Sequence, residues 1–284
     1  MELNQLCPQE NDELKKIQLI LQGILVAFQT FCAERSLRYY ALGGTVLGAV
    51  RHQGFIPWDD DIDVGMPRSD YELLVSSFNT YNNNRRYILE SPYTKDSNYS
   101  YPYSKIYDTQ TTLIENTTPP FKRGVFIDIF PLDGVEKATA INVKTIYFLK
   151  KILELKKLKR SRRQRSILRN LVSVTIDYSL KHFVSYKFLL NMINWLCVRQ
   201  QYNQSDYIAN LVGAYNEKEI VPKSCFGNPA IVSFEGLEIP CPKDTDYYLE
   251  HIYGEWKSLP PEEKRVTHHS YYLDLNKPYR SFCE

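Results

Sequence analysis

Four of the five residues from Asp59 to Asp63 are aspartates, and they stand shortly after an apolar, glycine-rich run from Ala41 to Val50. Any fold of this chain has to neutralise that density of negative charge. In an extended segment side chains alternate across the strand, so Asp59, Asp61 and Asp63 share one face while Ile62 and Val64 turn to the core. Carboxylates this close raise one another's pKa or repel unless a cation stands between them, and hard oxygen ligands of this kind suit Mg²⁺ or Mn²⁺. The stretch predicts a metal-dependent active site.

Around it, the pattern predicts a mixed α/β (α+β) core. Leu14, Ile17, Leu21, Ile24, Leu25 and Phe28 recur at helical spacing over about residues 10–34. Arg38 to Leu42 reads as a strand and Gly43-Gly44 as a turn. Thr45 is a candidate cap for a short helix carrying Arg51 and His52, and the chain returns as the acidic strand 61–66. Ser69 and Glu72 form a capping-box pattern for a further helix. Extended segments are expected at 86–90, 103–108 and 124–130. In the last of these Asp128 is a lone carboxylate among apolar residues, which requires a cation, a donor or a ligand to meet it. Asp133, before Gly134, reads as a turn residue, and Lys105 as either a phosphate contact or an exposed strand lysine. Residues from about 141 to 215 read as helical, followed by a hairpin at 231–239 and a short helix at 247–253.

The order Leu42-Gly43-Gly44, Asp61-Ile62-Asp63, then Asp128 resembles the nucleotidyltransferase fold. The longer block from Leu42 to Met66, through Arg51-His52-Gln53-Gly54 and Trp58-Asp59-Asp60-Asp61-Ile62-Asp63, resembles the signature of the LicD family, which also includes the fukutin-related proteins. Gly124 to Gly134, and Tyr253-Gly254 through Leu259-Pro260-Pro261 to His268-His269, extend the likeness over most of the chain. It implies transfer of a phospho-alcohol, such as phosphocholine, from a CDP-activated donor to a sugar hydroxyl of a lipid-linked glycan, with release of CMP. In that reading Asp61, Asp63 and Asp128 are catalytic; Asp61 and Asp63 hold Mg²⁺ (Mn²⁺ as a substitute), Asp128 either completes the metal site or accepts the proton of the attacking hydroxyl, and Asp59 is a further candidate ligand. The N–H groups of Gly43, Gly44 and Thr45 hold phosphate oxygens, with Arg51 and Lys105 as charged donors. The nucleotidyltransferase-like core is expected at 1–135, and a mainly helical lobe, completed by the C-terminal hairpin and helix, at 136–284.

Other readings of the same residues fare worse or stay open. A calcium loop would need glycine where Val64 stands and usually glutamate where Asp70 stands. The glycine spacing is not the dinucleotide fingerprint. Tyr93, Tyr99, Tyr101, Tyr103 and Tyr107 are either ordinary sheet tyrosines or aromatic faces for a quaternary ammonium. His268 and His269 are adjacent, and a packing or hydrogen-bonding role is expected for at least one of them. Alternative functions are transfer of the nucleotide monophosphate itself, or a non-catalytic membrane-associated assembly protein.

Thirty-five basic and 33 acidic residues nearly cancel, so only their placement informs. Between Lys150 and Arg169 ten basic residues meet one acid, Glu154, which predicts contact with an anionic membrane surface or the glycan acceptor. No nucleic-acid-reading module accompanies the run. The six cysteines show no zinc spacing and read as reduced thiols. Neither a signal peptide nor an apolar run of membrane-spanning length is apparent in the sequence. The expected location is cytoplasmic, with peripheral attachment to the inner face of the membrane left open.

Overall fold

The computed structural model describes residues 8–82, 85–94, 99–115, 117, 120–136, 140–157, 184–199, 201–265, 267 and 272–279. His268, His269 and the basic residues 159–169 lie outside them.

A long helix, α1 (Pro8–Glu34), is followed by the two-residue strand β1 (Tyr40–Ala41), α2 (Gly43–His52), β2 (Asp63–Pro67) and α3 (Arg68–Tyr81). Next come β3 (Tyr87–Glu90), β4 (Ser104–Asp108), β5 (Thr112–Glu115), β6 (Phe121–Arg123) and the long β7 (Phe126–Val135). The second half holds α4 (Ala140–Lys157), α5 (Tyr186–Cys197), β8 (Tyr207–Ala209), β9 (Ile220–Pro222) and the single turn α6 (Lys223–Phe226). The hairpin β10 (Ala230–Phe234) and β11 (Leu237–Cys241), then α7 (Thr245–Tyr253) and β12 (Tyr272–Asp274), complete it.

The main sheet runs β1-β2-β7-β4-β3, with β8 joined to β7 and β9 to β8. Among the described residues, only β2 and β7 pair in parallel. β7 is central because its residues are apolar on both faces: Ile127, Ile129, Leu132 and Val135 are all buried. Burial of α1 follows its spacing, with Leu21, Ile24, Leu25 and Phe28 inside the core. By length and composition α1, over Asp12–Glu34, could also cross a membrane, contrary to the sequence expectation that no segment approaches that length; a third of its most apolar stretch is buried within the protein. Packing against the sheet accounts for its apolar face.

The sheet does not stop at residue 135. β8, from the second half, pairs with Asp133–Val135, and one hydrophobic core takes in α1, the sheet, α4, α5 and α7. Asp133 is therefore a strand residue and not a turn residue. Its fully buried carboxylate accepts two hydrogen bonds from Arg68, Nε to Oδ1 at 2.7 Å and Nη2 to Oδ2 at 2.6 Å. That fork ties the first turn of α3 to the sheet. The expected caps differ as well. α3 begins directly after Pro67 without a side-chain cap, and the residue before α2 is Leu42, not Thr45.

Candidate active site

The site forms where three strands bring three charged residues into register. Asp63 of β2 pairs with Asp128 of β7, and Asp128 pairs with Lys105 of β4. Partners in register project from the same face of a sheet, so the two carboxylates and the ammonium sit in one row. Ile62 and Val64 point the other way and are buried. The strand starts where it does because the Asp63 N–H donates to Thr45 Oγ1 (2.8 Å), and Leu42 N–H donates to the Asp63 carbonyl (2.9 Å). Asp128 N–H donates to the Ile62 carbonyl (2.9 Å), which locks β7 against the acidic segment.

Two glycines let the acids approach α2. Gly43 has φ +50°, which favours glycine, and a Cβ there would lie 3.4 Å from Asp63 Oδ2. A Cβ on Gly44 would meet Asp59 Oδ2 at 2.8 Å. Both carboxylates thus stand against the first turn of α2, whose dipole favours negative charge. The expected phosphate cradle is already partly engaged within the chain. Gly43 N–H donates to the Tyr248 hydroxyl (3.1 Å) and Thr45 N–H to the Leu42 carbonyl (3.0 Å).

Asp59, Asp61, Asp63 and Asp128 line one cavity of about 900 Å³, a size usual for small-ligand sites. Enclosure first, and then the charges of Asp61, Asp128 and Asp59, hold the Asp63 carboxyl well above the usual carboxylate range. Burial pushes Asp128 up to about 6, against the opposing pull of Lys105. Lys105 is 2% exposed, so it is not the exposed strand lysine that the sequence left open. Its Nζ lies 2.8 Å from Asp128 Oδ1 and 3.4 Å from the centroid of the Phe126 ring. The donor set, all carboxylate oxygen, suits a hard divalent cation. Among the described residues no three carboxylate, histidine or cysteine side chains are drawn together as ligands of one ion; around Asp128 it is the Lys105 ammonium that supplies the neutralising charge.

Arg51 also lines the cavity, but its Nη1 donates to the carbonyls of Trp256 (2.7 Å) and Ser258 (3.3 Å). It clamps the chain after α7 over the site. The tyrosines divide. Tyr101 and Tyr103 line the cavity, whereas Tyr93 bonds Asn194 and Tyr107 packs on Tyr279. The face of Tyr101 is already taken by lysines, with Lys105 Nζ at 4.4 Å and Lys157 Nζ at 3.6 Å from its centroid.

The basic run is not one surface. Lys150 and Lys156 are buried, and Lys150 Nζ donates to the Gly213 carbonyl and to Asn216 Oδ1. Lys157 lines the cavity, where burial and then Lys105 pull its pKa down to about 7. A further acid, unmarked by any motif, also lines the cavity. Glu219 is buried, accepts from the Tyr215 N–H (3.0 Å), and is pushed up to about 7 by burial.

A family model described as LicD/FKTN/FKRP, nucleotidyltransferase domain, matches residues 36–151. The chain is 33% identical over 261 residues to the lipopolysaccharide cholinephosphotransferase LicD of Haemophilus influenzae, covering 90% of this chain and 96% of that protein. The chain belongs to the LicD family. Shorter matches reach uncharacterized proteins of Rickettsia prowazekii, 51% identical over 66 residues (21% of this chain, 25% of that protein), and Rickettsia typhi, 39% identical over 56 residues (20% and 18%). The region matched by the LicD family model holds Gly43, Asp61, Asp63, Lys105 and Asp128, while Glu219 falls beyond it.

Proposed function

We propose that this LicD-family enzyme transfers phosphocholine from CDP-choline to a sugar hydroxyl of a lipid-linked cell-surface glycan precursor, releasing CMP. The observation that carries the reading is the row Asp63, Asp128 and Lys105 on the wall of one ligand-sized cavity, with Asp59 and Asp61 beside it. The cholinephosphotransferase named among the relatives supports choline as the alcohol and a glycan as the acceptor. Mg²⁺, or Mn²⁺ in its place, would be held by Asp61, Asp63 and Asp128 with Asp59 as a further donor, and would neutralise charge at the diphosphate of the departing CMP.

The chain's own groups set up the rest. Lys105 fixes the Asp128 carboxylate and keeps a buried positive charge beside the place a phosphate would enter. Gly43 and Gly44 allow Asp63 and Asp59 to stand close to the start of α2. Arg51 holds the segment around Trp256 over the cavity, which shields the diphosphate from water. Glu219, poised near neutrality, is the group we assign to accept the proton of the attacking hydroxyl. The enzyme would work at the inner face of the membrane.

Incubation with CDP-choline, CDP-ethanolamine, CDP-ribitol and CDP-glycerol, each with and without Mg²⁺, tests this by product analysis. Free CMP and phosphocholine on the acceptor are expected. The description of the matched domain as a nucleotidyltransferase favours one rival, transfer of CMP itself; CMP attached to the acceptor would establish it.

A further inference from the structure

α4 and α5 each bury one apolar stripe in the common core and carry a second on the outside. On α4, Val143, Ile146 and Leu153 are inside. Ile141, Phe148 and Leu155, spaced by seven, are 74%, 64% and 47% exposed. On α5, Leu189, Leu190 and Ile193 are inside, and Phe188 and Trp195, again spaced by seven, are more than half exposed. A spacing of seven advances nearly two whole turns, so each set forms a line along its helix. The two helices pack on one core and on each other, so both turn their outer lines away from it.

Charge on the same outer faces is one-sided. Lys144, Lys151, Lys187 and Arg199 are exposed, whereas the acid Glu154 of α4 lines the cavity. Arg199 lies over the Trp195 ring at 4.5 Å, an aromatic and a cation side by side. Apolar and aromatic side chains flanked by lysine and arginine are the composition of helices that lie in a lipid interface. A second copy of this chain fits poorly, because a two-fold contact would press the same cations against one another.

We propose that the outer face of α4 and α5 docks on an anionic lipid bilayer. The docking face shares Lys151 and Leu155 with the run 150–169 but not its other described lysines, since Lys150 and Lys156 are buried and Lys157 faces the cavity. It also has a use. The inner side of α4 contributes Leu153 and Lys157 to the cavity wall, so the helix that rests on the bilayer also borders the site, within reach of a lipid-borne acceptor.

The test is co-sedimentation of the full chain with vesicles of phosphatidylcholine alone and of phosphatidylcholine mixed with phosphatidylglycerol; it reads binding, not turnover, and so stands apart from the assigned reaction. Binding to the mixed vesicles, weakened by salt, is expected. The double variant Phe148→Gln with Trp195→Gln should bind at least about tenfold more weakly, with unchanged circular dichroism because both side chains are exposed. The quadruple variant Lys144→Gln, Lys151→Gln, Lys187→Gln and Arg199→Gln should lose the preference for anionic lipid. Failure of the wild-type chain to bind mixed vesicles would overturn the proposal. So would unchanged binding of the Phe148/Trp195 variant, loss of binding only on replacement of Arg160, Arg162 and Arg163, or a concentration-dependent dimer dissolved by the same substitutions.

Discussion

Replacing Lys105 by methionine removes the ammonium 2.8 Å from Asp128 while keeping an unbranched apolar stem against Phe126. The side chains of the pair are 2% and 14% exposed, so each charge keeps little of its water. Deleting one member of a buried pair costs about 3–5 kcal/mol because the other charge stays behind. Here the charge left is Asp128, in register with the already destabilised carboxyl of Asp63, which places Lys105→Met near the top of that range. Asp128→Asn strands an ammonium that still has the Phe126 and Tyr101 rings, and aromatic faces offset about 1–2 kcal/mol, so it belongs near the bottom. The double variant holds neither charge and should lie within about 1–2 kcal/mol of wild type. At roughly 2–3 °C per kcal/mol for a chain of this size, Lys105→Met lowers Tm by about 8–15 °C, and the second substitution restores most of that. Thermal unfolding in chelator, so that no added cation replaces the ammonium, reads all four proteins. Additive losses, with the double variant as unstable as the two singles combined, would refute the buried pair.

Asp63→Asn relieves crowding among carboxylates and should raise Tm in chelator, yet lower kcat by about 10³-fold or more, equivalent to about 4 kcal/mol; a CMP-release assay beside a melting curve checks both. Glu219, with a folded pKa of about 7, favours the fold while protonated, a contribution fully present below its unfolded pKa of about 4.5 and lost as pH rises through about 7. Glu219→Gln should therefore match wild type in unfolding free energy at pH about 4 and exceed it above neutrality, by up to about 3 kcal/mol, while losing activity and the acid limb of the pH profile. Arg68→Met leaves the buried Asp133 carboxylate without its fork and should cost about 3–5 kcal/mol, measured by urea unfolding, with the donor's KM little changed.

Local alternation made much of the site readable in sequence. Ile62 and Val64 against Asp61 and Asp63 placed the acidic face, and Asp128 in an apolar strand announced a partner. That partner, Lys105, is fixed by the register of β4 on β7, which no local pattern encodes. Asp133 followed by Gly134 carries a turn signature, but pairing with β8 draws both into the strand. Composition does not say which lysines of the basic run a helix turns inward, and α4 buries Lys150 and Lys156. Glu219, between Lys218 and Ile220, has no distinguishing neighbours; only the folding of β8 and β9 onto the sheet brings it to the cavity. The short strands β5, β6, β8, β9 and β12 went unread for the same reason, since three or four residues hold too little periodicity.

In the proposed reaction the aspartates gather one divalent cation against the donor's diphosphate. Crystals grown with Mn²⁺ and CDP-choline test that directly through the anomalous difference map. The expected result is a manganese peak bonded to the carboxylates of Asp61 and Asp63 and to the diphosphate, with Asp128 turned toward it. A well-ordered CDP-choline with no peak at these carboxylates, or a peak bound elsewhere on the chain, would contradict it.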